Sequence, residues 1–145
     1  MPDVNALFAD YASYHRTKGN KAFHRVGIPL LMLSLLGMLA RVAVPGLRYV
    51  DAATILIALS TIYYLVVEWR LAIVMLIVSV AFYLAGAWLP FWANVALFVA
   101  GVICQYVGHK VYEHRQPAFM KNMAHLLIGP LWILNDFVPL VGAAH

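Results

Sequence analysis

The chain has 145 residues, of which 64% are hydrophobic and only 11% are charged. An ordinary soluble protein has about a quarter of its residues charged, so this composition excludes a typical soluble domain and indicates an integral membrane protein. The apolar residues form helix-length runs rather than short alternating strands, which predicts an all-α fold with a single domain over residues 1–145. The net charge of +4 does not indicate nucleic-acid binding, because the basic residues flank the apolar runs.

Four apolar runs are long enough to predict transmembrane helices. Pro29 stands at the start of the first run, where the missing backbone donor does little harm. A tight turn at residues 68–70 joins the second and third runs, and an uncharged aromatic turn at residues 88–92 joins the third and fourth. The predicted transmembrane helices are roughly 28–44, 52–67, 71–89 and 91–107.

Two further segments complete the predicted fold. Before the first span, Gly19-Asn20 predicts a turn between two short helices, which together form an N-terminal helical hairpin. The last apolar run, residues 125–141, is interrupted by Gly129-Pro130, Asn135-Asp136 and Pro139. Broken backbone at membrane depth needs protein around it. We therefore predict a broken C-terminal re-entrant or interfacial pair of short helices that covers the functional site.

The distribution of Lys and Arg predicts the orientation, because positively charged loops stay on the cytoplasmic side. Eight basic residues lie before the first span or after the second and fourth, whereas only Arg41 and Arg48 lie on the opposite face. This places the polar stretches 14–29 and 105–115, which carry four of the six histidines, on the same cytoplasmic face. The membrane would be a bacterial inner membrane, or the endoplasmic reticulum in a eukaryote.

These two polar stretches are a candidate metal site if the fold brings them together. His109 and Glu113 are four residues apart and would share one face of a continued helix, as a metal ligand and either a second ligand or its orienting carboxylate. His15 and His24 would add two ligands from the N-terminal hairpin. Two other interpretations stay open at this point: His109 and Glu113 form an exposed ion pair at a helix end, and His15 and His24 lie on an interfacial amphipathic helix.

The remaining histidines are weaker candidates. His114 would point about 100° away from Glu113 on a helix and suits the surface. His125 opens the broken run and could face the site, whereas His145 is the last residue of the chain. A set of imidazoles with at most one carboxylate fits iron(II), zinc or manganese better than copper(I) or an iron–sulfur cluster.

Two signatures in these stretches resemble the Mpo-like family of small membrane proteins, which in eukaryotes act in the conversion of phytosphingosine to odd-numbered fatty acids. The first signature is Tyr14-His15, Asn20, His24 and Gly27-Ile28-Pro29. The second is Gln105-Tyr106-Val107-Gly108-His109 with Glu113, Pro117-Ala118 and Leu127-Ile128-Gly129-Pro130-Leu131. Together the signatures frame most of the chain, with the apolar segments between them.

The resemblance implies an iron(II)-dependent dioxygenase that uses dioxygen to shorten a 2-hydroxy fatty acid by one carbon. It carries over His15, His24 and His109 as iron ligands and Glu113 as a further ligand or its partner. His114 and His125 fall at positions that vary in the family. We expect the acid headgroup of the substrate to be bound by polar residues beside these ligands, namely Arg16, Asn20, Arg25 and Lys110. Each of the charged residues taken alone could instead bind lipid phosphate.

Three other functions compete with this enzyme. One keeps the iron but changes the reaction, for example to lipid hydroxylation, although membrane di-iron hydroxylases usually have more histidines than this chain. The remaining two do not oxidise a lipid. One is a non-catalytic membrane protein with a structural or regulatory metal site. The other is a transporter or channel, which is disfavoured because ionisable residues are expected within the spans of such proteins, and here only Arg41 lies in one, near its end.

Overall fold

The computed structural model describes residues 3–13, 15–113 and 125–141. Within these residues the fold is all-α, as predicted, and the only β-type pairing is an isolated bridge between Ala43 and Asp51. The elements are α1 (Val4–Ala12), α2 (Lys18–Leu39), α3 (Ala52–Val67), α4 (Trp69–Trp88), α5 (Phe91–Val107), a π-helix (Gly108–Glu113) that continues α5, and α6 (His125–Phe137).

Three helices in the described part of the chain are long and apolar enough to cross a membrane: α2, α4, and α5 extended to Val111. The fourth predicted span, α3, has its predicted bounds but only 16 residues. At 1.5 Å per residue it measures about 24 Å, which is less than the hydrocarbon thickness of about 30 Å. In the described part of the chain, helix length and composition therefore support three full spans, with α3 and most of α6 as two shorter apolar helices.

The first span and the helical hairpin before it differ from the prediction. The predicted span was 28–44, but α2 runs from Lys18 to Leu39, and the hydroxyl of Thr17 caps its start by accepting a hydrogen bond from the Asn20 amide at 3.2 Å. The prediction of a turn at Gly19-Asn20 was wrong, because both residues lie in the first turn of α2. Pro29 accordingly lies inside the helix rather than at its start. Helix α1 ends at Ala12 and α2 begins at Lys18.

The prediction of two short C-terminal helices was also wrong. Helix α6 continues through Gly129-Pro130, although Pro130 removes one backbone donor. Burial offsets that loss, since Ile128, Leu131 and Trp132 are at most 1% exposed. The Asn135 carboxamide oxygen then accepts hydrogen bonds from the amides of residues 140 and 141, which fixes the chain beyond the helix end.

Close contact between α2 and α4 depends on two glycines. A Cβ at Gly86 would lie 2.6 Å from the Leu33 carbonyl oxygen, and one at Gly37 would lie 2.7 Å from the Gly86 carbonyl oxygen. The buried Asn94 of α5 donates to the same Gly86 carbonyl at 2.9 Å. Small residues that let helix backbones approach, joined by an interhelical hydrogen bond, are typical of helix packing in membranes.

The buried apolar residues form two separate clusters. The histidine-end cluster joins α1 and α6 to the neighbouring ends of α2, α3 and α4, and includes Phe8, Leu71 and Trp132. The far-end cluster lies at the other end of the bundle and consists of Leu36, Ala53 and Ile57 with the side chains packed around them. Between the clusters α2 and α5 approach closely, since a Cβ at Gly27 would lie 2.9 Å from Cβ of Cys104 and one at Gly101 would lie 2.7 Å from Cγ of Leu31.

Candidate metal centre

Three histidines from separate elements meet at one end of the bundle. His15 lies in the connection between α1 and α2, His24 lies on the second turn of α2, and His109 lies in the π-helix after α5. All three are at most 2% exposed. The two polar stretches of the sequence are therefore in direct contact, although 85 residues separate His24 from His109.

The Nε2 atom of His24 lies at the centre of the cluster. It is 3.0 Å from Nε2 of His15 and 3.1 Å from Nε2 of His109. One ligand atom from each of the three side chains lies within 4.8 Å of the others. The rings of His15 and His109 approach each other edge to face, with centroids 4.8 Å apart.

Backbone carbonyls fix the protonation of two of these rings. Nδ1 of His15 donates to the Tyr11 carbonyl at 2.8 Å, and Nδ1 of His24 donates to the Asn20 carbonyl at 3.0 Å. Because a carbonyl oxygen can only accept, the proton of each neutral ring lies on Nδ1. Nε2 of each ring therefore presents its lone pair to the centre of the cluster, which is the tautomer that binds a metal.

This arrangement fits a metal ion. Two lone pairs 3.0 Å apart repel each other, and a cation between them converts the repulsion into two favourable bonds. The ligand atoms of the three rings lie within 4.8 Å of one another, so an ion bound between them would be held by His15, His24 and His109.

A glycine allows the π-helix to approach α2 at this site. A Cβ at Gly108 would collide with the side-chain oxygen of Asn20 and lie 3.4 Å from Cβ of Phe23. Asn20 is completely buried, and its backbone carbonyl is the acceptor for His24. Gly108 therefore determines how closely His109 can come to His24. The π-helical geometry, which is frequent at functional sites, replaces the further α-helical turn that the sequence predicted.

Two aromatic residues that the sequence analysis did not select support His15. The Tyr11 ring stacks on the His15 ring, with centroids 4.1 Å apart and planes inclined by 11°. Trp132 of α6 packs against both, at 5.0 Å from Tyr11 and 5.5 Å from His15. Burial raises the pKa of the Tyr11 phenol, which stays neutral beside the histidines. The available signal was the spacing of four between Tyr11 and His15, which is ambiguous in a chain rich in aromatic residues.

A cavity of about 670 Å³ opens from the three histidines into the bundle. Its walls are mostly apolar, and Gln105 and Tyr64 are polar exceptions. Gln105 lies one turn before His109 on α5, and the Tyr64 hydroxyl donates to the Leu127 carbonyl at 2.6 Å. The apolar lining comes from five helices and includes Ile28, Leu31, Met32, Leu35, Leu36, Leu56, Ile57, Met75, Phe98, Val102, Leu126 and Leu127.

The other predicted ligand candidates are only partly described. Glu113 is the last residue of the π-helix and His125 the first residue of α6, but both side chains lie outside the described part of the structure. His114 and His145 lie outside the described residues altogether. The roles assigned to these four residues from sequence stay predictions.

The predicted headgroup residues lie around the cluster rather than along the cavity. Arg16 and Lys110 are exposed, and Arg25 forms an ion pair with Asp136 of α6 at 3.0 Å. Asn20 is buried against Gly108. None of the four lines the cavity as formed by the described residues.

The fold and the site define a class: an apolar helical bundle in which three buried histidines at the end of a cavity are able to hold a metal ion. The family model of the 2-hydroxy-palmitic acid dioxygenase Mpo1-like proteins matches residues 1–139, and the chain belongs to this family. The resemblance seen in the two signatures is thereby confirmed.

One relative is the 2-hydroxy-palmitic acid dioxygenase MPO1 of Saccharomyces cerevisiae. It is 28% identical over 141 residues, which cover 94% of this chain and 80% of the yeast protein. No solved structure matches the chain significantly.

Proposed function

We propose that this protein is an iron(II)-dependent dioxygenase that shortens 2-hydroxy fatty acids by one carbon. His15, His24 and His109 are the proposed ligands, with Glu113 as a further ligand or its partner. The observation that carries the proposal is the convergence of three histidine nitrogens at the end of an apolar cavity large enough for a lipid chain. Membership of the family and the activity named for the yeast relative support the same reaction.

The reaction balances without a further reductant. A 2-hydroxy acid, R-CH(OH)-COOH, and dioxygen give R-COOH, carbon dioxide and water. The carbon–carbon bond between C1 and C2 breaks, and the substrate supplies all four electrons that reduce dioxygen. No oxoglutarate, flavin or reductase is needed. Iron(II), when bound, supplies the redox chemistry that allows dioxygen to react with the acid.

The residues of this chain bind and orient the substrate. The apolar cavity holds the acyl chain away from water, and the buried histidine end receives the headgroup. A Cβ at Gly27 would lie 3.4 Å from Nε2 of Gln105, so this amide sits against α2 one turn from His24. We assign Gln105 a hydrogen bond to the headgroup, because an amide can both donate and accept. Arg16, Arg25 and Lys110 attract the acid, and Asn20 holds His24 in place.

The proposed topology has four spans, with α3 as the shortest, and places the histidine end at the cytoplasmic face. The short α3 is accommodated by local thinning of the bilayer or by the aromatic and polar residues at its ends. Support comes from the basic residues, since those of the first turns of α2, the start of α4 and the π-helix belong to the histidine end. The corresponding membrane is a bacterial inner membrane or the endoplasmic reticulum.

The alternative is a non-catalytic protein with a structural or regulatory metal. A structural site is closed by its ligands, whereas here the three histidines themselves line the cavity. This feature favours catalysis.

Turnover by purified protein tests the proposal. The protein in detergent is loaded with iron(II) and incubated under air with a long-chain 2-hydroxy acid. We expect the acid one carbon shorter, with one dioxygen consumed per product. His24→Ala abolishes both, and Lys18→Ala, at an exposed position on the same helix, preserves them. Stoichiometric iron without product or dioxygen uptake would establish the non-catalytic alternative.

A further inference from the structure

The cavity separates the two apolar clusters and has a defined depth. Along α2 its lining begins at His24 and ends at Leu36. These residues are 12 positions apart, which corresponds to about 18 Å of helix. A saturated chain with bonds of about 1.5 Å and angles of about 111° advances about 1.25 Å per carbon. The cavity therefore accepts about 14 extended carbons beyond the histidines.

The end of the cavity is formed by side chains of α2 and α3. Leu36 of α2 and Ile57 of α3 line the cavity and belong to the far-end cluster with Ala53. Their exposed fractions are 5%, 8% and 0%. Other side chains pack against this cluster, namely Leu39, Ala40, Phe82, Tyr83 and Leu56, of which Leu56 also lines the cavity. A chain that reaches Leu36 and Ile57 meets a packed core, which deforms only at considerable cost.

We propose that Leu36 and Ile57 form the floor of an acyl-chain cavity and set the longest 2-hydroxy acid that this protein oxidises, at about 16 carbons. This inference rests on the proposed function, because the carboxyl carbon and C2 must lie at the histidines for the remaining 14 or so carbons to fill the cavity. It assigns chain-length specificity to residues far from the metal ligands.

Ser60 offers a second position for changing the depth. It lines the cavity on α3, three residues from Ile57 toward the histidine end, which is about 4.5 Å along the helix. At about 1.25 Å per carbon, this distance corresponds to about four carbons of an extended chain. The small Ser60 side chain leaves that length of chain unobstructed, so a large side chain here would raise the floor.

Three variants on α3 test the floor. Ile57→Ala deepens the cavity, and we expect the longest accepted acid to gain about two carbons. Ser60→Phe shortens the cavity, and we expect a loss of about four carbons. Leu59→Phe is the matched control, because Leu59 is 63% exposed and does not line the cavity as described; its cut-off stays that of the unaltered protein. Each variant is assayed with saturated 2-hydroxy acids of 10 to 22 carbons.

Binding gives a second readout that needs neither metal nor turnover. Saturated fatty acids without the 2-hydroxyl, over the same lengths, displace a fluorescent fatty acid from metal-free protein in detergent. The cut-offs should shift in Ile57→Ala and Ser60→Phe as they do in turnover. Unchanged cut-offs in both variants would overturn the floor, even if turnover is normal. A protein that binds acids with the expected cut-offs but oxidises none would refute the proposed function and leave the floor standing.

Discussion

The polar groups of Asp51, Thr54 and Arg41 at the far end of the bundle are arranged differently from the histidines at the other end. At the far end, donors meet acceptors: the Asp51 carboxylate accepts from the Thr54 amide at 2.9 Å, and the Thr54 hydroxyl accepts from the Asp51 amide at 3.0 Å. Arg41 donates to the carbonyls of Gly37 and Leu89. At the histidine end, acceptors meet acceptors, since the Nε2 lone pairs of His15 and His24 face each other.

This contrast separates structure from function. The capping box at Asp51 stabilises the start of α3, and nothing more is needed to explain it. Opposed lone pairs in a buried cluster are costly and call for a cation. We therefore expect changes at the histidine end to act on metal and substrate, and changes at the far end to act on stability and chain length.

The largest expected effect is that of His24→Ala. Its Nε2 contacts the Nε2 atoms of both other histidines, so its removal eliminates both of these contacts at once. Loss of residues that merely orient a ligand costs 10- to 100-fold in metal affinity, and we expect loss of this proposed ligand to cost more than about 100-fold. The measurement is iron bound per protein after dialysis against a weak chelator.

Unfolding measurements distinguish metal loss from misfolding in this variant. A metal that binds only the folded state raises the melting temperature. A strong chelator should therefore lower the melting temperature of the unaltered protein and of Lys18→Ala, but not of His24→Ala. If the chelator lowers all three equally, His24 is not a ligand.

Gly108→Ala should have the next largest effect. The added methyl collides with Asn20 and displaces the π-helix that carries His109. We expect metal affinity to fall 10- to 100-fold, as for other residues that position a ligand. In the double variant with Asn20→Ala the collision is removed, and part of the affinity should return. Unchanged affinity in Gly108→Ala would show that the approach of the π-helix to α2 is irrelevant to the site.

Gly86→Ala tests the far end of the bundle, where we expect changes to act on stability and not on metal binding. Its Cβ would lie 2.6 Å from the Leu33 carbonyl oxygen, so α2 and α4 must separate. We expect the free energy of unfolding to fall by about 1–3 kcal/mol, with iron per folded protein unchanged. Leu84→Ala on the exposed face of α4 is the control, with a change within about 0.5 kcal/mol. Reduced iron in the folded Gly86→Ala protein would contradict the separation of the two ends.

The sequence predicted helices best where both ends carry local signals. Helix α3 has its predicted bounds, 52–67, because Asp51 caps its start and Glu68 both ends it and caps α4. The hydrogen bond from Arg70 lowers the pKa of Glu68, so this turn stays charged at the membrane boundary. Helix α5 likewise begins after Pro90 and has its predicted bounds, 91–107.

Prediction failed where tertiary burial outweighed the local pattern. Polar residues at 18–27 suggested that the first span begins later, but Asn20 and His24 are buried against other helices and continue α2. Pro130 suggested a break, but the burial of α6 maintains the helix. The charge count placed the two histidine stretches on one face, and the structure brings three of their histidines together. The cavity floor has no sequence signature, because Leu36 and Ile57 resemble any other apolar residues of a span.

The smallest expected effect is that of Arg25→Ala. The ion pair with Asp136 joins α2 to α6, but the Arg25 side chain is 47% exposed, so water and salt screen the attraction. We expect unfolding to become easier by at most about 1 kcal/mol, with KM for a 2-hydroxy acid raised less than about fivefold. A larger rise in KM that persists in the Arg25→Ala, Asp136→Ala double variant would mean that Arg25 binds the headgroup directly. The proposed substrate site would then include the exposed Arg25 in addition to the buried histidines.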